Sequence, residues 1–332
     1  MQLLFASYGL IIKKRNNRFL VIDNGKEFSV SPRKLTSVAI TTHCFVSTSA
    51  LRLAIDHQLP VFFMDELGNV IGRVWSPSFA AHSRLRRQQV YFADSPEAVV
   101  WVKQLFDLKT EQQLQNLGFL QNRKPGYAAD IHRAMEAISD IRLKVQTTAV
   151  EISAPTHQAQ WQSLLGLEGS MARHYWQTIA ECFADKGLFD GRSRRPATDA
   201  FNCALNYLYG MLYTTTESAL FAAGLDPYLG VLHTDGYDSA SLSFDLIEPF
   251  RPWADRFLLE KMLRGEFEEG YFDKKENNGF WLNKAGKKWL IPAFNEYMNG
   301  VEPFLHWRKK RTDTMYEYAG MLRKIIEHFE KP

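Results

Sequence analysis

The chain has 332 residues, of which 45% are hydrophobic and 23% charged, and a net charge of +3. Such a composition is that of an ordinary globular protein with room for two domains, and no apolar run approaches the ~20 residues that cross a bilayer, which excludes a membrane-spanning helix. So small a net charge does not announce a nucleic-acid binder either; that function would need local basic patches.

Taken in order, the chain begins with MQLLFASYGLIIKKRNN, which has no charged leader before its apolar part and reads as a strand, not a signal peptide. Short strands are predicted at 3–5, 9–13, 19–22, 28–30 and 37–40. Asn24-Gly25 marks a hairpin between two of them. Ser47 or Thr48 caps a helix over 50–57, followed by strands at 61–64 and 70–75 around a turn at 66–69. Residues 1–76 therefore form a small β-rich unit, and SPSFAAHS (76–83) marks a linker, placed at residues 77–84. Residues 85–332 read as a larger, all-helical domain, so the fold class is α+β. Cys44, Cys182 and Cys203 show neither metal nor disulfide spacing, which favours a reducing, cytoplasmic setting.

The helical part resolves into candidates at 86–108, 111–123, 128–145, 158–184, 199–223 and 245–264, with an acidic loop at 264–279 and further helical pieces to the C-terminus. Inside 158–184, Glu168 is enclosed by Leu164, Leu165, Leu167 and Met171, where an unpaired carboxylate is costly. Gly166 and Gly169 flank it and suggest that something approaches the helix closely. A core glutamate paired to an arginine is the plainer alternative. Further on, a Gly- and Pro-punctuated stretch, GLDPYLGVLHTDGYDSASLSFDLIEPFRP, delivers His233 in a polar loop and then Asp245 and Glu248. On a helix that spacing puts both acids on one face, although Pro249 requires them to lie within about one turn of a helix start. Asp235 and Asp238 leave open an isolated cation loop. Basic clusters stand at Lys13-Lys14-Arg15, Arg84-Arg86-Arg87, Arg192-Arg194-Arg195 and Arg308-Lys309-Lys310-Arg311; each is either a solvated face or a DNA contact.

Three motifs carry a family resemblance. LEGSMARHYW, the run RRPATDAFNCALNYLYGMLYTTTESALFAAGLDPYLGVLHTDG and SLSFDLIEPFRP resemble, in order and spacing, the motifs of the CRISPR-associated integrase family, the larger (Cas-one) subunit of the spacer-acquisition complex. ALRLAIDHQLPVFFMDELGNVIGRV in the β-rich unit fits it too. The resemblance implies that Glu168, His233 and Glu248 are the catalytic metal ligands and that Asp245 is an auxiliary acid near the metal. It also implies a homodimer formed through the β-rich unit, and a complex with a small Cas-two subunit and DNA. Two departures stand out: Asp235 and Asp238 occupy places where many relatives have basic or neutral residues, and the third ligand is Glu where some members use Asp.

Oxygen, nitrogen and oxygen ligands suit Mg²⁺ or Mn²⁺. The implied activity is that of a metal-dependent DNA integrase and endonuclease of CRISPR adaptation: a DNA 3′-OH attacks a repeat phosphodiester, or water cleaves one. Arg84, Arg86, Arg87, Arg194 and Arg195 are the candidate phosphate contacts. The alternatives are a metal-dependent hydrolase of a small phosphorylated substrate, which would need an enclosed apolar pocket, and a non-enzymatic DNA scaffold, which has no use for convergent ligands.

Overall fold

The computed structural model describes residues 2–5, 8–35, 37–41, 43–65, 70–74, 83–149, 154–184, 187–193, 196–233, 240–274 and 279–329. The chain forms two compact units, one comprising residues 1–86, 210–226 and 288–327, the other 87–209, 227–287 and 328–332. The turn expected at 66–69 and residues 77–82 of the expected linker lie outside the described residues. Ser83 and Arg84, the linker's last two residues, already belong to a helix.

The first unit contains two four-stranded sheets. One has the order β1 (Gln2–Phe5), β5 (Ser37–Ile40), β7 (Val61–Met64), β8 (Val70–Val74); the other runs β4 (Lys26–Val30), β3 (Arg18–Asp23), β2 (Ile11–Arg15), β6 (Phe45–Val46). In the first sheet, β1, β5 and β7 are parallel. Parallel strands are covered on both faces, and every residue of β5 is accordingly buried. The second sheet is an antiparallel meander with β6 added in parallel to β2. Both of its tight turns, Asn16-Asn17 and Asn24-Gly25, hold positive φ at each residue, the backbone that matches two-residue loops to strand twist. The hairpin expected at Asn24-Gly25 is therefore present.

Helix α1 (Thr48–Asp56) is capped by the Ser47 side chain, which accepts from the Ala50 amide at 3.2 Å. Its Leu53 joins Phe5, Ile12, Val21, Ile40 and Val61 in the core of this unit. Helical segments complete it. Glu217, in the second half of α6 (Ala200–Ala223), pairs with Arg73 of β8, and the Arg73 guanidinium lies 4.7 Å from the Phe221 ring centroid. The β-rich segment thus shares its compact unit with residues 210–226 and 288–327.

The second unit is built on α3 (Pro96–Gln121), α4 (Ala128–Thr147) and α5 (Ala154–Phe183). The break expected between 108 and 111 does not occur; α3 runs through it, and the interruption falls earlier, after α2 (Ser83–Ala93). There Ser95 accepts from the Ala98 amide and Pro96 opens the next helix, where a proline's missing N–H costs nothing. Trp101, Leu105, Phe106, Leu117 and Leu120 of α3 are fully or almost fully buried, as are Ile131 and Ile138 of α4 and Leu164, Tyr175 and Ile179 of α5. Arg142 of α4 grips Asp107 of α3 with two hydrogen bonds, at 2.6 and 2.8 Å.

The expected α+β division therefore holds, with a β-rich N-terminal region and a helical remainder. The helical part differs from an all-helical one in two short hairpins. β9 (Phe272–Lys274) pairs with β10 (Phe280–Leu282) across the stretch read as a loop, and β11 (Val301–Phe304) pairs with β12 (Trp307–Lys310) between α9 (Lys284–Asn299) and α10 (Arg311–His328).

Candidate active site

One face of α3 organises the site. Lys109, Gln112 and Asn116 recur at helical spacing and so lie in one row. The Gln112 amide donates to the Pro249 carbonyl at 2.8 Å, and the Asn116 amide to the Pro252 carbonyl at 2.9 Å. The Lys109 ammonium donates to Glu248 Oε2 at 2.6 Å and also to Glu168 Oε1 of α5. A single helix thus fixes the backbone around Glu248 and joins its carboxylate to that of Glu168.

The segment carrying Asp245 and Glu248 is not the single helix expected over 245–264. It consists of α7 (Ser241–Leu246), a 3-10 turn at Glu248–Phe250 and α8 (Arg251–Leu263). Pro249 and Pro252 explain the division, since neither can donate a helical hydrogen bond and each fits only a first turn. Asp245 and Glu248 consequently end with different partners, which corrects the expectation that they share one helix face. Asp245 is fully buried and accepts from the amides of Val231 (2.7 Å), Leu232 (3.2 Å) and His233 (3.1 Å). Its Oδ1 lies 2.6 Å from His233 Nδ1. The turn that presents those amides depends on Gly230: a Cβ there would lie 2.5 Å from Ser241 Cβ and 2.6 Å from the His233 carbonyl oxygen.

The imidazole of His233 is thereby oriented through Nδ1, with Nε2 left for another ligand, and its side chain is 40% exposed. Burial pushes its pKa down, but the hydrogen bond and charge of Asp245 and the charge of Glu248 outweigh burial and raise it overall. Burial likewise opposes the charge on Glu248, but Arg251 and Lys109 more than compensate and bring its pKa down to about 2. Arg251 Nε forms an ion pair with Glu248 Oε1 at 2.9 Å. Lys109 follows the same pattern: burial disfavours its charge, and Glu168 and Glu248 reverse the effect, so its pKa rises.

Glu168 is half-buried. Its partner is the lysine of α3 and not an arginine. Among the described residues no part of the protein itself packs closely on Gly166 or Gly169, because a Cβ on either would meet nothing within 4 Å; the close approach expected there is not made by a neighbouring element of the chain. Both are exposed, so no side chain covers the helix surface at these two positions beside Glu168.

Two of the three expected ligands, Glu168 and Glu248, thus converge on one ammonium, and His233 stands close enough for its imidazole to feel the Glu248 charge. Among the described residues no three His, Cys, Asp or Glu side chains are close enough to hold an ion between them as they stand. The chemistry of the donor set nevertheless fits a hard divalent cation: two carboxylates already share one positive charge, and an acid-backed imidazole is the usual support of a metal-binding histidine.

A second buried cluster lies behind the site. Tyr209 donates to Asp255 Oδ1 at 2.7 Å, the Tyr175 hydroxyl also faces Asp255, and Asn116 donates to the Tyr175 oxygen at 3.0 Å. Burial pushes the Asp255 carboxyl up to about 7 against the lowering effect of the two phenols. The Arg251 guanidinium lies 4.8 Å from the Tyr209 ring centroid.

Sequence reasoning overlooked Lys109, Gln112, Arg251 and Asp255. No clear signal marked the first two: Lys109, Gln112, Gln113 and Asn116 share one helical row, but Asp107, Thr110, Glu111 and Gln115 around them are polar as well, so the row does not stand out in the sequence. Among the basic candidates, Arg84 and Arg87 are exposed, whereas Arg86 pairs with Asp226 at 3.7 Å. Arg192 is turned inward, donating to the side-chain oxygens of Asn202 (2.9 Å) and Asn206 (2.8 Å), and Arg311 is buried and donates to the Tyr297 carbonyl at 2.7 Å. Arg194, Arg195, Asp235 and Asp238 lie outside the described residues. Among the described residues, no helix is long and apolar enough to cross a membrane.

The model of one protein family, CRISPR associated protein Cas1, matches residues 3–296. The CRISPR-associated endonuclease Cas1 2 of Saccharolobus solfataricus is 31% identical over 266 residues, covering 80% of this chain and 76% of its own. The CRISPR-associated endonuclease Cas1 1 of Thermus thermophilus is 30% identical over 333 residues, covering 98% and 96%. Among solved structures, a casposase bound to integration product superimposes with a TM-score of 0.83 at 21% identity, over 100% of this chain and 92% of that one. A Cas6-RT-Cas1–Cas2 complex superimposes with a TM-score of 0.79 at 21% identity, over 98% of this chain and 35% of that chain.

Proposed function

Because this chain belongs to the Cas1 family of CRISPR-associated DNA endonucleases and integrases, we propose that Glu168, His233 and Glu248 form its catalytic centre and act with Mg²⁺ or Mn²⁺. The observation that carries this reading is the meeting of two carboxylates from distant parts of the chain on one cation, beside an imidazole held by a buried acid. Glu168 and Glu248 would hold the metal through oxygen and His233 through Nε2. Asp245, which bonds Nδ1, positions the ring and is not itself a ligand. When bound, the metal supplies charge neutralisation at a phosphodiester and lowers the pKa of the attacking hydroxyl or water.

The protein's own residues provide the rest. Gly166 and Gly169 keep the surface beside Glu168 open, so that a DNA backbone can approach. Arg251 keeps Glu248 charged. Arg84 and Arg87 are exposed and suited to phosphates outside the centre, where contacts position DNA without reading its sequence.

The relatives support DNA and Cas2 as partners, and the homodimer rests on the motif resemblance alone. Solved neighbours include a complex with Cas2 and one with an integration product, and the corresponding reading here is a homodimer that joins a Cas2 subunit and inserts spacer DNA into the CRISPR array. The test is transfer of a labelled DNA 3′ end into a repeat-bearing duplex. Wild type should integrate with Mg²⁺ or Mn²⁺ and lose activity with chelator; Glu168→Ala and His233→Ala should be inactive but folded. Wild-type-like integration by His233→Ala with Mn²⁺ would overturn the assignment.

A further inference from the structure

Lys109 has no place in the metal reading as it stands, yet it occupies the centre of the site. Its side chain is only 11% exposed, and its ammonium is shared by Glu168 and Glu248. Both oxygens of Glu248 are engaged: Oε2 by Lys109 at 2.6 Å and Oε1 by Arg251 at 2.9 Å. Each oxygen keeps a further lone pair, but a metal ligated by either one would stand directly beside one of these cations.

The two are not equally held. Arg251 sits in the first turn of α8 with its guanidinium 4.8 Å from the Tyr209 ring centroid, a cation–π contact that it would give up by moving away from Glu248. Lys109 reaches the carboxylates from the middle of α3 on a flexible four-carbon stem, while the backbone it reaches towards is fixed by its neighbours Gln112 and Asn116. The ammonium can therefore leave while the helix stays in place. It also has reason to leave. A hard cation binds carboxylate oxygen at 2.0–2.2 Å or so, and an ammonium kept on the same oxygen would stand within about 5 Å of it, positive against positive.

We propose that Lys109 and the divalent cation occupy the carboxylates of Glu168 and Glu248 by turns. Lys109 is a positioning residue: its ammonium holds the two acids together against their mutual repulsion, and metal binding displaces it. This inference rests on the metal reading above. It predicts a competition in which the lysine lowers metal affinity while keeping the ligands assembled.

The experiment uses the full-length protein without DNA, and Mn²⁺ alone as probe. Lysine acetylation is followed by peptide mass spectrometry with and without saturating Mn²⁺, and Mn²⁺ affinity is measured by calorimetry for wild type, Glu168→Gln and Lys109→Gln. Lys109 should resist acetylation without Mn²⁺ and react several-fold faster with it. Lys103, whose ammonium donates to the carbonyls of Gln146 and Thr148, should be unchanged. Lys109→Gln should bind Mn²⁺ about tenfold more tightly or better, the scale on which one neighbouring charge shifts an ionic equilibrium. If Lys109→Gln does not fold, the acetylation comparison on wild type decides alone. Mn²⁺ binding that Glu168→Gln abolishes, with Lys109 reactivity unchanged by the metal, overturns this inference and leaves the metal reading intact. No Mn²⁺ binding, or binding that Glu168→Gln does not affect, overturns both.

Discussion

Asp245, Glu248 and Asp255 lie close together in the chain and are all buried, yet their surroundings differ in kind. Asp245 is held by three backbone amides and an imidazole. Glu248 is held by two cations. Asp255 is held by phenols and stands out in its pKa of about 7. The region at Glu248 is therefore built to keep a negative charge, and the region at Asp255 to suppress one. Burial opposes ionisation at both; the difference is that Lys109 and Arg251 pair directly with Glu248, whereas Lys109 and Arg192 lower the Asp255 pKa too little to offset burial.

The strongest way to break that comparison is to remove the charge that the site protects. Glu248→Ala leaves Arg251 and Lys109 without a shared partner. It should abolish DNA strand transfer, and it should cost about 3–5 kcal/mol of stability, the penalty for stripping one member from a buried ion pair. Denaturant unfolding beside an integration assay checks both; full activity would remove Glu248 from the catalytic centre.

Asp245→Ala orphans three amides and frees the His233 ring. A loss of 10–100-fold or so in metal affinity is expected, as for other acids that orient a metal-binding histidine. Asp245→Asn retains acceptor oxygen and should be milder. Equal effects of Ala and Asn on Mn²⁺ affinity would show that charge matters at this position, rather than hydrogen bonding.

The pH dependence of stability sharpens the contrast, because the two buried acids act in opposite directions. Glu248 has a folded pKa of about 2 against an ordinary 4.5, so its contribution is complete above 4.5 and lost as pH falls towards 2. Asp255, raised from 3.8 to about 7, favours folding in its protonated form; its contribution is present below 3.8 and lost as pH rises through 7. Asp255→Asn should flatten the decline between those values. Thermal unfolding across pH 4–8 (roughly the interval set by those two pKa values) measures it, and an unchanged slope would show that Asp255 does not titrate there.

The smallest effect is expected on the surface. Reversing the charge of Arg84 and Arg87 together should leave stability within about 0.5 kcal/mol. If these residues meet phosphates, it should lower the slope of log DNA affinity against log salt by about 0.9 for each phosphate that is no longer neutralised. An unchanged slope would assign them to a solvated face.

Much of the framework was legible in the residues. Positive-φ turns at Asn24-Gly25, the Ser47 cap, the strands at 37–40 and 61–64 and the long helices around Glu168 and Tyr209 follow from local backbone preference and apolar periodicity. The motif order pointed to the family, and the family model matches most of the chain. Pro249 carried a warning about the helix start, although the full division into α7, a 3-10 turn and α8 was not foreseen. β6, only two residues long, leaves no periodic signal at all.

What the residues could not determine by themselves was partnership. Glu168 could be seen to need a counter-charge, but the choice of Lys109 over the many arginines depends on α3 laying Lys109, Gln112 and Asn116 against segments far away in sequence. By spacing alone Asp245 and Glu248 are equivalent, and only the family resemblance told them apart; the fold gives one a turn of amides and the other two cations. Local preferences act within a few residues and can be read from the chain. Charge pairing falls off over a few ångströms in space, and only the tertiary structure decides which distant groups come within that reach.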